Sequence, residues 1–434
     1  MQSDASWKEL NLGDVIELKR GYDLPKGKRS VGVIPIVSSS GISDFHSEAM
    51  VKGPGVVTGR YGTIGEVFYM DGDFWPLNTT LYVRDFKGSD PRFISYFLRT
   101  LDFQAYSDKG AVPGVNRNHL HTARVRIPAL PVQKAIARVL GTLDSKIDLN
   151  RRINQTLEAM VQAIFKSWFV DFDPVKAKIA AIEQGEDPLR DAMRALSGKT
   201  DAELDQMLRE HHDQLVATAE LFPDAMGASE LGEIPKGWAF QAADLLTEVG
   251  IGKTPPRKEP QWFTEGEGDW RWVSIRDMGV SGVFQQRASE FLTSEAVSRF
   301  NVRVVPDRTV LLSFKLTIGR VALTDGPMVT NEAIAHFKLP TDAAISSEYL
   351  YLYLKSFDYS MLGSTSSIAD AVNSKTIREM PIVVASRSLI DRFTRSVAPL
   401  FMEMKNRQNE ITSLCATRDA LLPKLLSGEI EVSP

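Results

Sequence analysis

Two stretches of this chain carry a seven-residue apolar rhythm, and that rhythm limits what the chain can fold into. In the first, apolar residues fall at Ile136, Leu140, Leu143 and Ile147, then at Leu157, Val161, Ile164 and Trp168. The steps alternate four and three, which is the spacing of a coiled-coil seam. Asn150 and Asn154 interrupt the seam with polar side chains. Adding 257 to these numbers gives a second seam: Phe393, Val397, Leu400, Met404, Arg407, Ile411, Leu414, Arg418, Leu421 and Leu425. It keeps the phase and again places a polar residue, Arg407, in the middle. Two long helices that share one repeat are expected to pack on each other. The plainer alternative is a pair of ordinary amphipathic core helices.

Around the seams the chain divides by composition. Residues 1–130 predict a mixed α/β domain, with strands near Val31–Val37, Gly55–Thr58 and Arg124–Pro128 and a helix over Pro91–Leu101. Residues 131–172 form the first long helix, opened by Pro131, where a missing N–H costs nothing. Residues 173–230 predict an acidic helical connector, with helices over Ala177–Ile182, Leu189–Leu196 and Ala202–Leu215. Residues 231–385 form a second α/β domain, and residues 386–430 the second long helix. Pro399 predicts an interruption of that helix.

The second domain repeats the first. Trp7 answers Trp238, and the run Gly21–Pro25 answers Gly252–Pro256. The run Val56–Val67 answers Val310–Val321, Asn78 answers Asn331, and Asn116 answers Asn373. The growing offset predicts an insertion near Trp262–Trp270 in the second copy. A shared framework with different loops suggests one task performed on two targets. Duplication of structure alone is the other reading.

Charge and cysteine narrow the class. The net charge is −4 over 434 residues, which argues against a strongly basic nucleic-acid binder. The acidity is concentrated, however. Residues 173–230 hold thirteen acids against six bases, and the rest of the chain has 45 bases against 42 acids. Such a surface predicts modest phosphate affinity by itself. Cys415 is the only cysteine, which excludes intramolecular disulfides and thiolate zinc sites and fits a reducing cytoplasm. No apolar run is long enough to span a membrane, and residues 1–10 show no secretory signal pattern.

Signs of covalent chemistry are weak. Gly252-Lys253-Thr254 has the last letters of a phosphate-binding loop, but Thr247 stands where that loop needs glycine and Pro255-Pro256 opposes the following helix. His211-His212 beside Asp213 point to different helix faces. Glu403, Lys405 and Asp391 fall on the second heptad helix. No catalytic residues, metal ligands or bound cofactor are expected.

The loops suit nucleic acid. In the first copy the candidates are Arg20, Tyr22, Lys28, Ser39, Ser40, Arg60, Tyr61, Thr63, Asn78, Asn116 and Arg117. In the second they are Lys253, Thr254, Ser274, Arg276, Lys315, Thr317, Asn331, Asn373 and Lys375. Amides and guanidinium groups pair with adenine and guanine edges. Arg60 and Lys315 are expected at the same place in the two copies. Each such loop also has a plain reading as a solvated turn.

Several stretches together resemble the specificity subunits of type I restriction–modification systems. They are the run Phe165–Pro174, Gly232-Glu233-Ile234-Pro235-Lys236-Gly237-Trp238, and Trp272-Val273-Ser274-Ile275-Arg276-Asp277-Met278. Gly59–Gly65 followed by Trp75–Thr80, and Leu421–Gly428, complete the set. The resemblance implies an α+β fold: two repeated mixed α/β target-recognition domains separated by two long antiparallel coiled-coil helices. It implies that each domain reads half of a split, asymmetric site in double-stranded DNA. Two methyltransferase subunits would dock on the helices and two restriction subunits would join them. S-adenosylmethionine, ATP and magnesium would belong to those partners only. The competing readings are a coiled-coil scaffold that binds protein without DNA, and an autonomous methyltransferase or nuclease.

Overall fold

The computed structural model describes residues 7–107, 114–264, 268–362 and 372–433. The chain forms two compact units. One holds residues 1–149 and 410–434, the other residues 150–409. Each long helix therefore contributes a segment to both.

In the first unit, four antiparallel strands lie in the order Glu17–Arg20, Thr80–Asp85, Gly55–Gly59, Val67–Met70. All five residues of the central Gly55–Gly59 strand are buried, as expected of a strand covered on both faces. Helix Pro91–Leu98 covers the sheet. Asp90 caps it by accepting from the Phe93 N–H, and Phe93, Ile94, Tyr96, Phe97 and Leu98 are buried. A smaller sheet joins Gly41–His46, Ile34–Ser38 and Trp75–Pro76, the last pair parallel. The strand expected from Val31 begins only at Ile34, and Val31 and Val33 stay exposed. Lys8–Asn11 pairs with Arg124–Ile127.

The first long helix runs over Leu130–Phe169 and the second over Arg387–Ser427. In the first unit Ile136, Leu140 and Ile147 of one and Leu425 of the other are buried. Asp144 accepts from the Tyr96 hydroxyl at 2.6 Å and from the Arg418 guanidinium at 2.9 Å. Lys146 pairs with Glu410 at 3.4 Å. Partner numbers fall as the first helix advances, so the segments run antiparallel.

The second unit repeats the sheet. Its order is Glu248–Ile251, Ile334–Lys338, Val310–Ser313, Val321–Thr324, with a fifth strand, Phe284–Gln285, added in parallel. The expected insertion builds much of a second sheet, ordered Phe263–Thr264, Glu290–Leu292, Trp270–Val273, Val329–Thr330. Ala239–Ala242 pairs with Pro381–Val384, as the first copy's outer strands do. Helix Ser347–Ser356, capped by Ser346, answers Pro91–Leu98.

Antiparallel pairing continues here. Asn150, fully buried, accepts from Arg407 at 3.1 Å, and the Asn154 amide donates to the Met404 carbonyl at 3.1 Å. Asn150 is thus paired, whereas Asn154 is paired through its NH2 and keeps a buried Oδ1 without a partner, so the cost of burying the seam's polar groups is only partly removed. An aromatic cluster anchors the helices: Phe169 lies edge-on to Tyr349 at 4.9 Å and to Phe393 at 5.0 Å.

Contrary to the expectation from Pro399, the second helix is continuous. Arg395 and Pro399 share its exposed face, where water can satisfy the carbonyl that the proline leaves unbonded. The acidic connector is also folded. Helices Asp173–Gln184, Pro188–Ser197, Asp201–Asp205 and Arg209–Ala219 enclose Ala192, Met193, Leu204 and Ala219. The helix expected over 202–215 is split at residues 206–208. Arg190 pairs with Asp201 and Asp205, and Arg392 of the second long helix donates to Thr218 and to the Gln214 carbonyl.

Candidate nucleic-acid interface

Main-chain bonds gather the first copy's loops at one end of its sheet. The Tyr22 N–H donates to the Pro76 carbonyl at 2.8 Å, and the Arg60 N–H to the Thr79 carbonyl at 2.9 Å. The Val115 N–H donates to the Arg60 carbonyl at 3.0 Å. Gly21 is needed here, since a Cβ would stand 2.1 Å from the Leu77 carbonyl oxygen. Ser39 joins through Gly62, whose positive φ of 78° points a would-be Cβ at the Ser39 hydroxyl. Arg20, Tyr22, Ser39, Arg60, Tyr61, Thr63, Asn78, Asn116 and Arg117 thus belong to one connected loop set. Ser40 is exposed on the adjoining turn. Lys28 sits outside this bonded set, on the exposed turn Lys26–Lys28.

Their side chains differ in what they have left to offer. Arg60 lies over the Tyr61 ring at 4.5 Å. The Tyr22 and Tyr82 hydroxyls share a 2.9 Å bond. That bond and the neighbouring Lys19 hold the Tyr22 phenol below its usual range, while burial pushes Tyr82 up. The Asn78 amide donates to Asp23. Asn116 caps helix Arg117–His121 by accepting from the Asn118 N–H at 3.0 Å, which leaves Arg117 exposed beside it.

The second copy builds the same framework. The Lys253 N–H donates to the Thr330 carbonyl at 2.9 Å, and the Phe314 N–H to the Ala333 carbonyl at 3.0 Å. The Asn331 N–H donates to the Val273 carbonyl at 3.0 Å, as Leu77 does to Val37 at 2.9 Å. Thr254 bonds Glu332. Ser274 caps helix Ile275–Val280 in a reciprocal box with Asp277, and Arg276 is exposed on its first turn. Asn373 caps helix Ser374–Arg378, accepting from the Lys375 N–H at 2.8 Å. The Lys375 ammonium pairs with Glu379 at 3.7 Å. Lys315 and Thr317 are exposed, with the Lys315 ammonium 5.5 Å from the Phe314 ring centre.

Strand register corrects two expected equivalences. Gly59 opposes Thr80, and Ser313 opposes Ile334. Arg60 therefore matches Phe314, and Tyr61 matches Lys315. Each copy pairs a cation with an aromatic ring, in opposite order along the chain. By the same register Asn331 matches Leu77, and Asn78 matches Glu332. The hydrogen bond to the preceding loop survives with donor and acceptor exchanged: Asn78 donates to Asp23, whereas Glu332 accepts from Thr254. Identical letters had drawn Asn78 and Asn331 together, but pairing geometry separates them by one position.

Among the described residues no group of His, Cys, Asp and Glu could hold a metal ion, and no helix is long and apolar enough to cross a membrane. Two arginines that the sequence reading passed over, Arg303 and Arg378, border a cavity of ≈ 380 Å³ beside Lys253. Arg378 lies three residues after Lys375 and could have been found from that helix. Arg303 has no such local signal.

The type I restriction modification DNA specificity domain family matches residues 5–159. The HindI type I restriction enzyme specificity subunit of Haemophilus influenzae is 33% identical over 341 residues, covering 75% of this chain and 73% of that protein. The chain belongs to the type I restriction enzyme specificity subunits. A second relative, the MjaIX specificity subunit of Methanocaldococcus jannaschii, is 22% identical over 370 residues, covering 82% of this chain and 74% of that one. The crystal structure of a type I restriction–modification S subunit from M. genitalium shares the fold, with a TM-score of 0.54 at 14% identity over 98% of this chain and 97% of that one. This specificity subunit is a sequence-specific DNA recognition protein with a non-catalytic role. A scaffold without DNA readout is not the favoured reading.

Proposed function

We propose that each loop set of this specificity subunit reads one half of a split, asymmetric DNA site, and that the paired helices set the distance between the halves. The observation that carries this is the recurrence of one main-chain framework with different side chains at its rim: Arg60 and Tyr61 in one copy, Phe314 and Lys315 in the other. A framework that holds loops in place while side chains vary is what two different readouts require. Two methyltransferase subunits dock on the helices, and two restriction subunits complete the assembly in the cytoplasm. S-adenosylmethionine, ATP and magnesium serve those partners, and this chain binds none of them.

A matched insertion tests the spacing role. Lys146 pairs with Glu410 and Asn150 with Arg407, so one heptad placed between Leu149 and Asn150 belongs opposite one between Asn409 and Glu410. Seven residues keep the seam phase and lengthen each helix by about 10 Å. That equals roughly three base pairs along B-form DNA. Methylation of a library with variable gaps should shift to a gap about three base pairs longer, weakened by the altered groove phase. An unchanged gap at unchanged affinity refutes the role.

A further inference from the structure

The second copy has a basic cavity beside the loop residue Lys253. The cavity measures ≈ 380 Å³, and Lys253, Arg303 and Arg378 line it together with Asn301 and the backbone of residues 250–252. Among the described residues no acid lines it. The Glu248 carboxylate beside Arg303 is shared between Arg303 at 3.6 Å and Lys338 at 3.2 Å, so it offsets only part of the charge. Space exists because residue 250 is a glycine: a Cβ there would stand 2.5 Å from the Arg303 guanidinium.

Register identifies what stands in these places in the first copy. Gly250 opposes His336 as Lys19 opposes Tyr82, so Lys19 answers Gly250. The Lys19 ammonium folds onto the Tyr22 hydroxyl at 3.3 Å, and Tyr22 answers Lys253. His121 answers Arg378 at the last position of the equivalent helix. Its Nε2 accepts from the Leu18 N–H at 2.9 Å, which ties the ring to the sheet edge. The first copy thus fills the place with a lysine bonded to Tyr22 and a bonded histidine ring, whereas the second has Gly250, Lys253 and Arg378 there, all bordering the cavity.

We infer that this cavity of the second copy seats one backbone phosphate of the DNA. The inference rests on the DNA-reading role proposed above and assigns residues to it. Two guanidinium groups and an ammonium around a small polar cleft match the tetrahedral, anionic oxygens of a phosphate diester. Lys253 belongs to the loop set itself, so a phosphate held here would register the second copy on the duplex without reading a base.

The test uses the specificity subunit assembled with its methyltransferase partner, and compares wild type with the Arg303→Gln/Arg378→Gln double variant. The variant should bind roughly 10–100-fold more weakly at low salt. Its slope of log affinity against log salt should be shallower by about one, since one phosphate is no longer neutralised. Discrimination between the intact second half-site and a mutated one should be unchanged, which also shows that the domain is folded. Arg303→Lys/Arg378→Lys should keep the wild-type slope. In the wild type, one neutral methylphosphonate linkage at the right position should reproduce the loss, and the double Gln variant should be blind to it. If wild type selects its sequence but the variant keeps its affinity and slope, the phosphate seat is wrong and the half-site role stands. If wild type selects no sequence, both fall. Saturable binding of inorganic phosphate with no change in DNA binding would mark a free-anion site and overturn the assignment to DNA.

Discussion

In the first recognition domain Tyr22 and Tyr82 join hydroxyls at 2.9 Å. In the second, Lys253 and His336 hold those two positions, and His336 is buried with its Nε2 at 2.5 Å from the Thr330 hydroxyl. The main chain barely registers the exchange: Tyr22 and Lys253 donate the same N–H to the same carbonyl position, at 2.8 and 2.9 Å. The comparison shows how the fold tolerates divergence. Backbone bonds and the glycines Gly21 and Gly252, each pressed against a carbonyl oxygen that would lie 2.1 Å from a Cβ, carry the framework. Side chains at the rim contribute little to it and are free to change.

The sharpest contrast lies where the long helices are anchored. Ile136 and Phe393 occupy equivalent seam positions, and both are buried. Only Phe393 sits among aromatic rings, with Phe165 at 5.8 Å, Trp168 at 5.6 Å and Phe169 at 5.0 Å. Phe393→Ala should cost about 3–5 kcal/mol, and Ile136→Val about 0.5–1.5 kcal/mol. Urea unfolding measures both. Equal losses would mean that the aromatic cluster adds nothing to the anchoring.

The rim residues should separate the copies by half-site. Arg60→Ala should weaken binding by about 1–3 kcal/mol if Arg60 reads a base edge, with the loss confined to DNA carrying the first half-site. Lys315→Ala should do the same for the second. A loss that is uniform across sequences, with a lower salt slope, would convert either residue to a phosphate contact. Arg60→Ala that changes neither affinity nor salt slope removes it from the interface.

Acid should distinguish the domains more gently. Burial, with Arg303 nearby, pushes the His336 imidazole down to about 3, so the fold holds it neutral. Its contribution is complete above the ordinary histidine value near 6.5, erodes as pH falls below that, and is exhausted near 3. Between pH 6.5 and 5 the second domain should lose about 1–2 kcal/mol through this group. His121 shifts the same way, chiefly by partial burial and then by Arg117 and Lys87, and should give a shallower slope in the first domain. Urea midpoints across that range should flatten in His336→Gln; an unchanged slope would assign the acid sensitivity elsewhere.

The seams, the duplication and the family were legible in the sequence because each is carried by local or periodic information. A heptad step of four and three survives without knowledge of the partner helix, and the burial of Ile136, Leu140, Val161, Phe393 and Val397 follows from it. Runs such as Val56–Thr58 and Val310–Leu312 mark buried strands by composition alone. What the sequence left open depends on pairing between distant segments. Only strand register shows that Asn78 answers Glu332 rather than Asn331. Only the helix starts show that Asn116, Ser274 and Asn373 use their side-chain oxygens as caps, which leaves less of each for a base. Pro399 stays in a continuous helix because it falls on the solvent side, a face that the tertiary packing selects. Arg303 and Arg378 are 75 residues apart, and a charged cavity between them exists only after strand Glu248–Ile251 has brought Gly250 beneath both. Periodicity is written into neighbours along the chain; register, caps and cavities arise only when remote segments commit to their hydrogen bonds.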